Sequence, residues 1–572
     1  MAQDDLEKTY AEAFAERDRH TEKILHSGAP RKVVVSGPGT GKTTLFAKLL
    51  TGRGGDTLTL SFINALVDDL ALGLYGLSEV RTLHGFSARV LRLETGAKIY
   101  PKLPQVIAED IAIFRGEDDI DFDEIFYRYE DDEKYLSFYK ERKAYYGKYY
   151  GYSDAIYAVA KHFEKSPHKI PKYAQIVVDE FQDFNKSEVT LIEMLAGASP
   201  ILLVGDDDQS LYIDIKNASP DHIREKHGVT ASDYEAFSLP FCSRSTKVIV
   251  EAANDFVDNA KQHGLLKARV PKPYRYFPCA KKDAESAAHP KIVYTQQYEG
   301  EMPLFFQNEI AKIAKHEREK FSVLVIVPPQ MGKRLLPKFA KALKKRGFRN
   351  VTYPMRSVGG EPTLMEGLRI LLDNKDDNLG YRIVAKHILD AENFETLLRK
   401  CTGEEKISDH LSEDDQKKIK RFLVALKKIR ADKDVDEAGL DEFLKAVSRN
   451  PYKMAADTLR DELLADDVMS FNADRAIRQI PITLTTITRS KGLSADYVFI
   501  THFDDQHFLR DSAVSDKDVY AFLVVLTRAN KKSFLVSSKD ETPLFLDWVD
   551  TSKIDQQLNS PHSRQAAKSK VG

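Results

Sequence analysis

Apolar runs and charged stretches alternate along the chain so as to separate sheet-forming from helix-forming regions. Val33, Val34 and Val35 form a short apolar run, followed by a glycine-rich loop and then LFAKLL, the order strand, turn, helix. Leu58, Leu60 and Phe62 alternate in TLTLSFINA and predict a second strand emptying into a helix. VRTLHGFSARVLRL repeats the unit, and AQIVVDEFQD and PILLVGDDDQS are buried-strand patterns that each end in carboxylates. Successive units of this kind build a parallel sheet with right-handed crossovers. Upstream, Leu6, Tyr10, Phe14, Ile24 and Leu25 recur among charges with helical spacing.

Between about 95 and 150 the pattern turns acidic, aromatic and helical. The run FYKERKAYYGKYYGY at 138–152 interleaves lysines with tyrosines. Such a run suits base stacking beside phosphate contacts; it equally suits an amphipathic helix with packed tyrosines and solvated lysines. HPKIVYTQQY and FSVLVIVPP return to strand patterning and begin a second α/β domain. Residues 376–475 read as mostly charged helix, with Ser412 and Asp415 as a capping box ahead of Ile419, Phe422, Leu426 and Ile429. PITLTTITRS, DYVFITHF and SFLVSS resume the sheet, and the Ser-, Gln- and Lys-rich tail from Thr551 is expected to lack fixed structure.

At 572 residues the chain exceeds a single core, and its length predicts about three or four domains. A net charge of -2, from 85 basic and 87 acidic residues, confines any nucleic-acid surface to a local patch. The three cysteines stand far apart and support neither a zinc site nor an iron–sulfur cluster. With no apolar stretch of membrane-spanning length, the expected location is cytoplasmic.

The chemistry centres on SGPGTGKTT, Ser36 to Thr44. Gly37, Gly39 and Gly41 let backbone amides curl round a phosphate; Lys42 supplies a charge to the outer phosphates and Thr43 a hydroxyl to Mg²⁺. Thr40 and Thr44 complete the loop. This is a P-loop, with Ser36 where a first glycine would stand. Asp179, at the end of the strand IVV, is the expected metal-holding carboxylate, and Glu180 the acceptor of the water's proton. Gln209 can orient that water or sense the γ-phosphate, and Arg244 and Arg528 are candidate fingers delivered from the second domain.

Together these stretches resemble the UvrD/Rep-type helicases of superfamily 1. SGPGTGKTT is similar to motif I, TLSFINA to Ia, RTLHGF to Ib, IVVDEFQDFN to II, LLVGDDDQSLY to III, SRSTKVIVEAAN to IV, LTTITRSKGL to V and VVLTRA to VI. The resemblance implies two RecA-like P-loop domains, each a parallel sheet flanked by helices and each with a helical insertion. The expected boundaries are 1–94 with 153–238 for the first domain and 95–152 for its insertion. The second domain spans 239–375 with 476–550, its short insertion 376–475, and the flexible tail 551–572. It also implies ATP and Mg²⁺ as cofactors. Single-stranded DNA or single-strand/duplex junctions would be contacted through Phe62, Thr82, His84, Tyr212, Thr486, Arg489 and Lys491.

The departures from the family pattern cluster on the nucleoside side. No glutamine lies in the window Asp18 to His26, Ser243 replaces the adenine-stacking tyrosine, and Ser494 replaces a ribose-contacting glutamate. Every triphosphate-side group is kept, so hydrolysis is expected while strict ATP preference is not. Motif III continues as Tyr212, Ile213, Asp214, Ile215 and Lys216, without the usual aromatic and arginine. Losing that platform costs about 1–3 kcal/mol per stacked base, and an acid there would repel phosphate. The leading expectation is an ATP-dependent translocase and helicase moving 3′ to 5′ on single-stranded DNA. The alternative is a nucleic-acid-sensing subunit that controls a partner nuclease, as in antiphage defence.

Overall fold

The computed structural model describes residues 3–557 except 63, 229–232, 318, 355–360, 431–478 and 510–512. The chain divides into two compact units. One contains Met1–Leu83, Ser166–Arg356 and Asp474–Gly572; the other contains His84–Lys165 and the described residues of Ser357–Ala473. Among the described residues no helix is long and apolar enough to cross a membrane.

The first unit carries two parallel sheets. Six strands run in the order Glu79–Thr82, Thr57–Ser61, Gln175–Val178, Ile201–Gly205, Arg31–Val35 and Glu235–Phe237. Their central members are buried along their length, save Arg31 at one end, because helices cover both faces of a parallel sheet. Val34, Val177, Leu202 and Val204 pack with Leu45 and Phe46 of the helix that follows the P-loop. The second sheet has seven strands, in the order Val351–Thr352, Ile482–Thr486, Val323–Val327, Ala495–Thr501, Ala529–Ser537, Ile292–Gln296 and Ile554–Gln557. Both sheets are of the α/β class expected for RecA-like domains.

The seventh strand corrects the expectation for the tail. Residues 554–557 pair with Ile292–Thr295, and Ile554 is buried in the core. One apolar residue on an open sheet edge orders a segment whose composition reads as polar; the rest of the tail, 558–572, lies outside the described residues.

The second unit is helical. Leu103, Ile107, Phe126 and Leu136 from the earlier segment share one core with Leu368, Ile383, Leu398 and Phe422 from the later one. The two insertions, expected as separate bodies on separate domains, thus fold together. Tyr157, Leu364 and Leu371, expected with the sheets, belong to this same core and move its boundaries outward. Asp121, Asp132, Asp377 and Asp390 cap its helices, and Ser412 Oγ accepts the Asp415 amide at 3.1 Å as the sequence predicts. Ile419, Phe422 and Leu426 are buried; the part of the second insertion from 431 to 475 lies outside the described residues.

A fully buried ionic hub joins the two segments. Asp110 accepts from Arg142 Nε at 3.0 Å, from Arg382 Nη2 at 3.0 Å and from the Tyr146 hydroxyl. The tyrosine-rich run is therefore packing: Tyr139, Tyr146 and Tyr149 are buried, and Tyr149 donates to Asp377 at 2.8 Å.

Candidate nucleotide-binding and catalytic site

The strand Arg31–Val35 runs into the P-loop and leaves it as the helix Lys42–Leu50. Gly39 and Gly41 take φ of 73° and 91°, conformations that exclude most side chains. A Cβ on Gly39 would also lie 2.6 Å from Arg244 Cβ, and one on Gly37 would lie 2.6 Å from the Tyr274 ring. The loop is glycine-rich both to curl and to let the second sheet's lobe rest on it. Ser243 N–H donates to Gly39 O at 3.0 Å and Tyr274 OH to Pro38 O at 3.1 Å. Thr40 spends its hydroxyl on Gly37 O at 2.9 Å, so its side chain shapes the loop.

A cavity of about 290 Å³ opens over this loop, walled by Gly39 to Thr43, Asp179, Glu180, Gln209, Arg244 and Arg528. All four expected catalytic residues, both expected metal ligands and most of the loop thus meet at one place. Gly37 lies behind the wall, against Tyr274, and Thr44 is exposed on the helix. Arg528 Nη2 donates to Gln209 Oε1 at 2.9 Å, and Gln209 Nε2 to Asp206 Oδ2 at 2.8 Å. Arg244 donates to Thr527 O at 2.7 Å, and its buried Nε has no partner.

The charges are arranged for an anion. Burial lowers Arg528 to about 9, assisted by the neighbouring Arg244 cation, which marks a guanidinium short of negative charge. Burial opposes ionisation of Glu180, yet Lys42 and Lys491 hold it below the usual carboxylate range. Lys42 Nζ stands 3.5 Å from Glu180 Oε1 and Lys491 Nζ 3.6 Å from Oε2. Asp179 is pushed up to about 7 by burial, then by Glu180. A buried carboxylate and the Thr43 residue lining the same cavity fit Mg²⁺, a cation that takes oxygen ligands and substrate phosphates.

Asp206, Asp207 and Asp208 form the acidic triple found among the described residues, but the Lys272 ammonium lies among them, 2.8 Å from Asp206 and from Asp208. Arg269 and Arg224 neutralise the remaining charge, so the triple is an ion-pair knot between the two sheets' lobes.

The expected nucleic-acid residues divide. Phe62 stands 4.6 Å from Tyr212 and 5.7 Å from Phe184, with Lys216 Nζ 4.3 Å above its ring. Thr82 ends the strand Glu79–Thr82, Thr486 ends Ile482–Thr486, and Arg489 is exposed on the turn beyond it. His84 belongs to the helical unit, its ring 5.0 Å from Tyr152. Lys491 is a correction: it is buried, bonded to Asp183 and to Gln209 O. Three acceptors from the first sheet's lobe, Asp183, Gln209 O and Glu180, draw it inward, so its ammonium is turned away from the surface. Asp214 is a second correction, because its charge is paired with Lys517 instead of facing phosphate. Sequence reasoning missed Gln182, Lys272 and Tyr274; the only signal was that the first sits inside DEFQD.

Two parallel α/β sheets, one with a P-loop and the other bringing arginines to it, define a P-loop fold of the two-lobed RecA-like kind. Residues 117–227 match the UvrD/REP helicase N-terminal domain. The chain is 23% identical over 431 residues to the ATP-dependent DNA helicase Rep of Buchnera aphidicola, covering 64% of this chain and 62% of that protein. It is 23% identical over 440 residues to a probable DNA helicase II homolog of Mycoplasma capricolum, covering 68% and 58%. ATP-dependent DNA helicase PcrA of Staphylococcus aureus is 27% identical over 256 residues, covering 41% and 30%. The chain is thus similar to the UvrD/Rep-type helicases, and its matches span at most 62% of the length of these relatives.

Proposed function

We propose that this chain hydrolyses nucleoside triphosphates, ATP among them, and uses the cycle to move 3′ to 5′ along single-stranded DNA and open junctions. The observation that carries the reading is the bond from Arg528 of the second sheet's lobe to Gln209 of the first, at the rim of the P-loop cavity. Relatives named as ATP-dependent DNA helicases support it.

Lys42 and the P-loop amides bind the phosphates, and Thr43 and Asp179 would hold Mg²⁺, which would supply positive charge to the phosphates when bound. Glu180 accepts the proton as water attacks the γ-phosphorus and the bond to the β–γ bridging oxygen breaks, giving the nucleoside diphosphate and inorganic phosphate. Arg244 and Arg528 meet the charge spread over the equatorial oxygens. Arg528 must leave Gln209 to do so, and this exchange links turnover to the relative position of the lobes. Such a ligand-driven shift between two arrangements becomes a step when the lobes grip a strand alternately. Phe62, Tyr212 and Arg489 are the groups we assign to that strand.

The test is the hydrolysis rate with single-stranded DNA, single-stranded RNA and no polymer, followed by strand displacement with and without ATP. DNA-stimulated turnover with ATP-dependent displacement is expected. Turnover without displacement would favour the sensor that controls a partner nuclease; no turnover at all would end the enzymatic reading.

A further inference from the structure

Gln182 lies two residues beyond Glu180, in the turn Phe181–Asp183, and is fully buried. Its Oε1 accepts from Asp206 N–H at 3.0 Å and its Nε2 donates to Glu180 Oε2 at 2.6 Å. A backbone N–H can only donate and a carboxylate only accept, so these partners fix which end of the amide is which. Gly205 makes the space, since a Cβ there would overlap Gln182 Oε1. Glu180 itself sits at φ 53°, the left-handed region, so its backbone is held in a conformation few side-chain-bearing residues adopt.

We propose that Gln182 is a positioning residue for phosphoryl transfer, clamping Glu180 Oε2 so that Oε1 is the oxygen presented to the attacking water. The inference rests on the hydrolytic reading above. It gives the two carboxylate oxygens different employment: Oε2 takes the amide, while Oε1 faces Lys42 Nζ at 3.5 Å on the cavity side. It also makes Asp206 the joint between base and sensor. The backbone of Asp206 holds Gln182, and its Oδ2 accepts Gln209 Nε2 at 2.8 Å. Arg528, resting on Gln209 Oε1, is thus three side chains from the base through unbroken hydrogen bonds. When Arg528 moves to the γ-phosphate, the Gln209–Asp206–Gln182 chain carries that change to the orientation of Glu180.

A packing role would predict something different from a positioning role. Gln182→Glu keeps an acceptor for Asp206 N–H but replaces the donor to Glu180 by a carboxylate oxygen that repels it; Gln182→Met removes both donor and acceptor at similar volume without adding charge. Each is made in the full chain, alone and with Glu180→Gln, and turnover is followed in steady state and in a single cycle. The expected result is a loss of at least about tenfold in kcat for both, with KM for ATP within about threefold of the parent and no further loss in the Glu180→Gln background. A kcat within about twofold of the parent would overturn the proposal, as would the same fractional loss in both backgrounds, the mark of a group acting on stability. Absence of any Lys42-dependent turnover in the unsubstituted chain would instead bring down the hydrolytic reading on which it rests.

Discussion

Arg528 and Gln209 are joined at 2.9 Å although 319 positions separate them, and both line the cavity above Lys42. The bond occupies Gln209 and Arg528 with each other, so on the proposed reading a triphosphate must offer Arg528 a stronger partner. Arg528→Ala should lower kcat by about 10²–10³-fold, the scale of one preorganised donor to transition-state charge. Nucleotide binding, read with a fluorescent analogue, should change far less. A loss confined to binding would show that the arginine holds the ground state alone.

Lys42 is the sole cation of the loop itself, and it faces Glu180 at 3.5 Å. Lys42→Ala should abolish hydrolysis in a phosphate-release assay while the far-ultraviolet circular dichroism stays unchanged. Undiminished turnover would move the phosphate site elsewhere.

The side chains that the family resemblance assigns to the nucleoside are missing from this sequence, with no glutamine in Asp18 to His26 and serines at 243 and 494. Ser243 uses its backbone on Gly39, and Phe241 is buried with Phe277 and Ala13. Selectivity of the strong kind requires buried polar groups that the wrong base leaves unpaired. GTP and CTP should therefore support turnover within about tenfold of ATP in kcat/KM. A preference of several orders would mean that a wall forms on binding.

How far the sequence discloses this molecule depends on how local each signal is. Gly39, Gly41, Lys42 and the strand-ending carboxylates lie in short motifs whose geometry is dictated by neighbours, and the structure assembles them at one cavity. Ile554 is ordered by pairing with Ile292, a partner from another part of the chain, so composition alone reads its segment as loose. Asp214 finds Lys517 across 303 positions, and Lys491 finds Asp183 across 308. A charge in a sequence carries no mark of a distant counter-ion, which is why both were read as facing nucleic acid. The shared core of the helical unit escapes for the same reason: an amphipathic face shows that something covers it, not what.

Phe62 sits with one side on Phe184 and Tyr212 and Lys216 over its ring. Phe62→Ala should weaken single-stranded DNA binding by about 1–3 kcal/mol if a base stacks there. Fluorescence anisotropy of a labelled oligonucleotide measures it, and hydrolysis without DNA should be unaffected. Unchanged affinity would reduce the ring to packing.

The helical unit offers a test of how its two segments are held. Asp110 is wholly buried between Arg142 and Arg382, and Arg382 also donates to Glu109 at 2.8 Å and to Val106 O at 3.2 Å. Removing the acid would leave two guanidiniums in an apolar core with too few acceptors. Burial of an unpaired charge is the costly outcome, whereas replacing a whole ionic group by apolar residues of like volume is often neutral. Asp110→Ala should therefore destabilise the unit by about 3–5 kcal/mol. The triple change Asp110→Leu, Arg142→Met and Arg382→Met should recover much of that loss. Hydrogen exchange over Leu103–Arg115 and Asn378–Ile388 reports the unit directly, and exchange in the strands of the two parallel sheets should change little. Equal protection in Asp110→Ala and the parent would show that the hub is dispensable, and that the apolar contacts of Ile107, Leu368 and Ile383 hold the segments together without it.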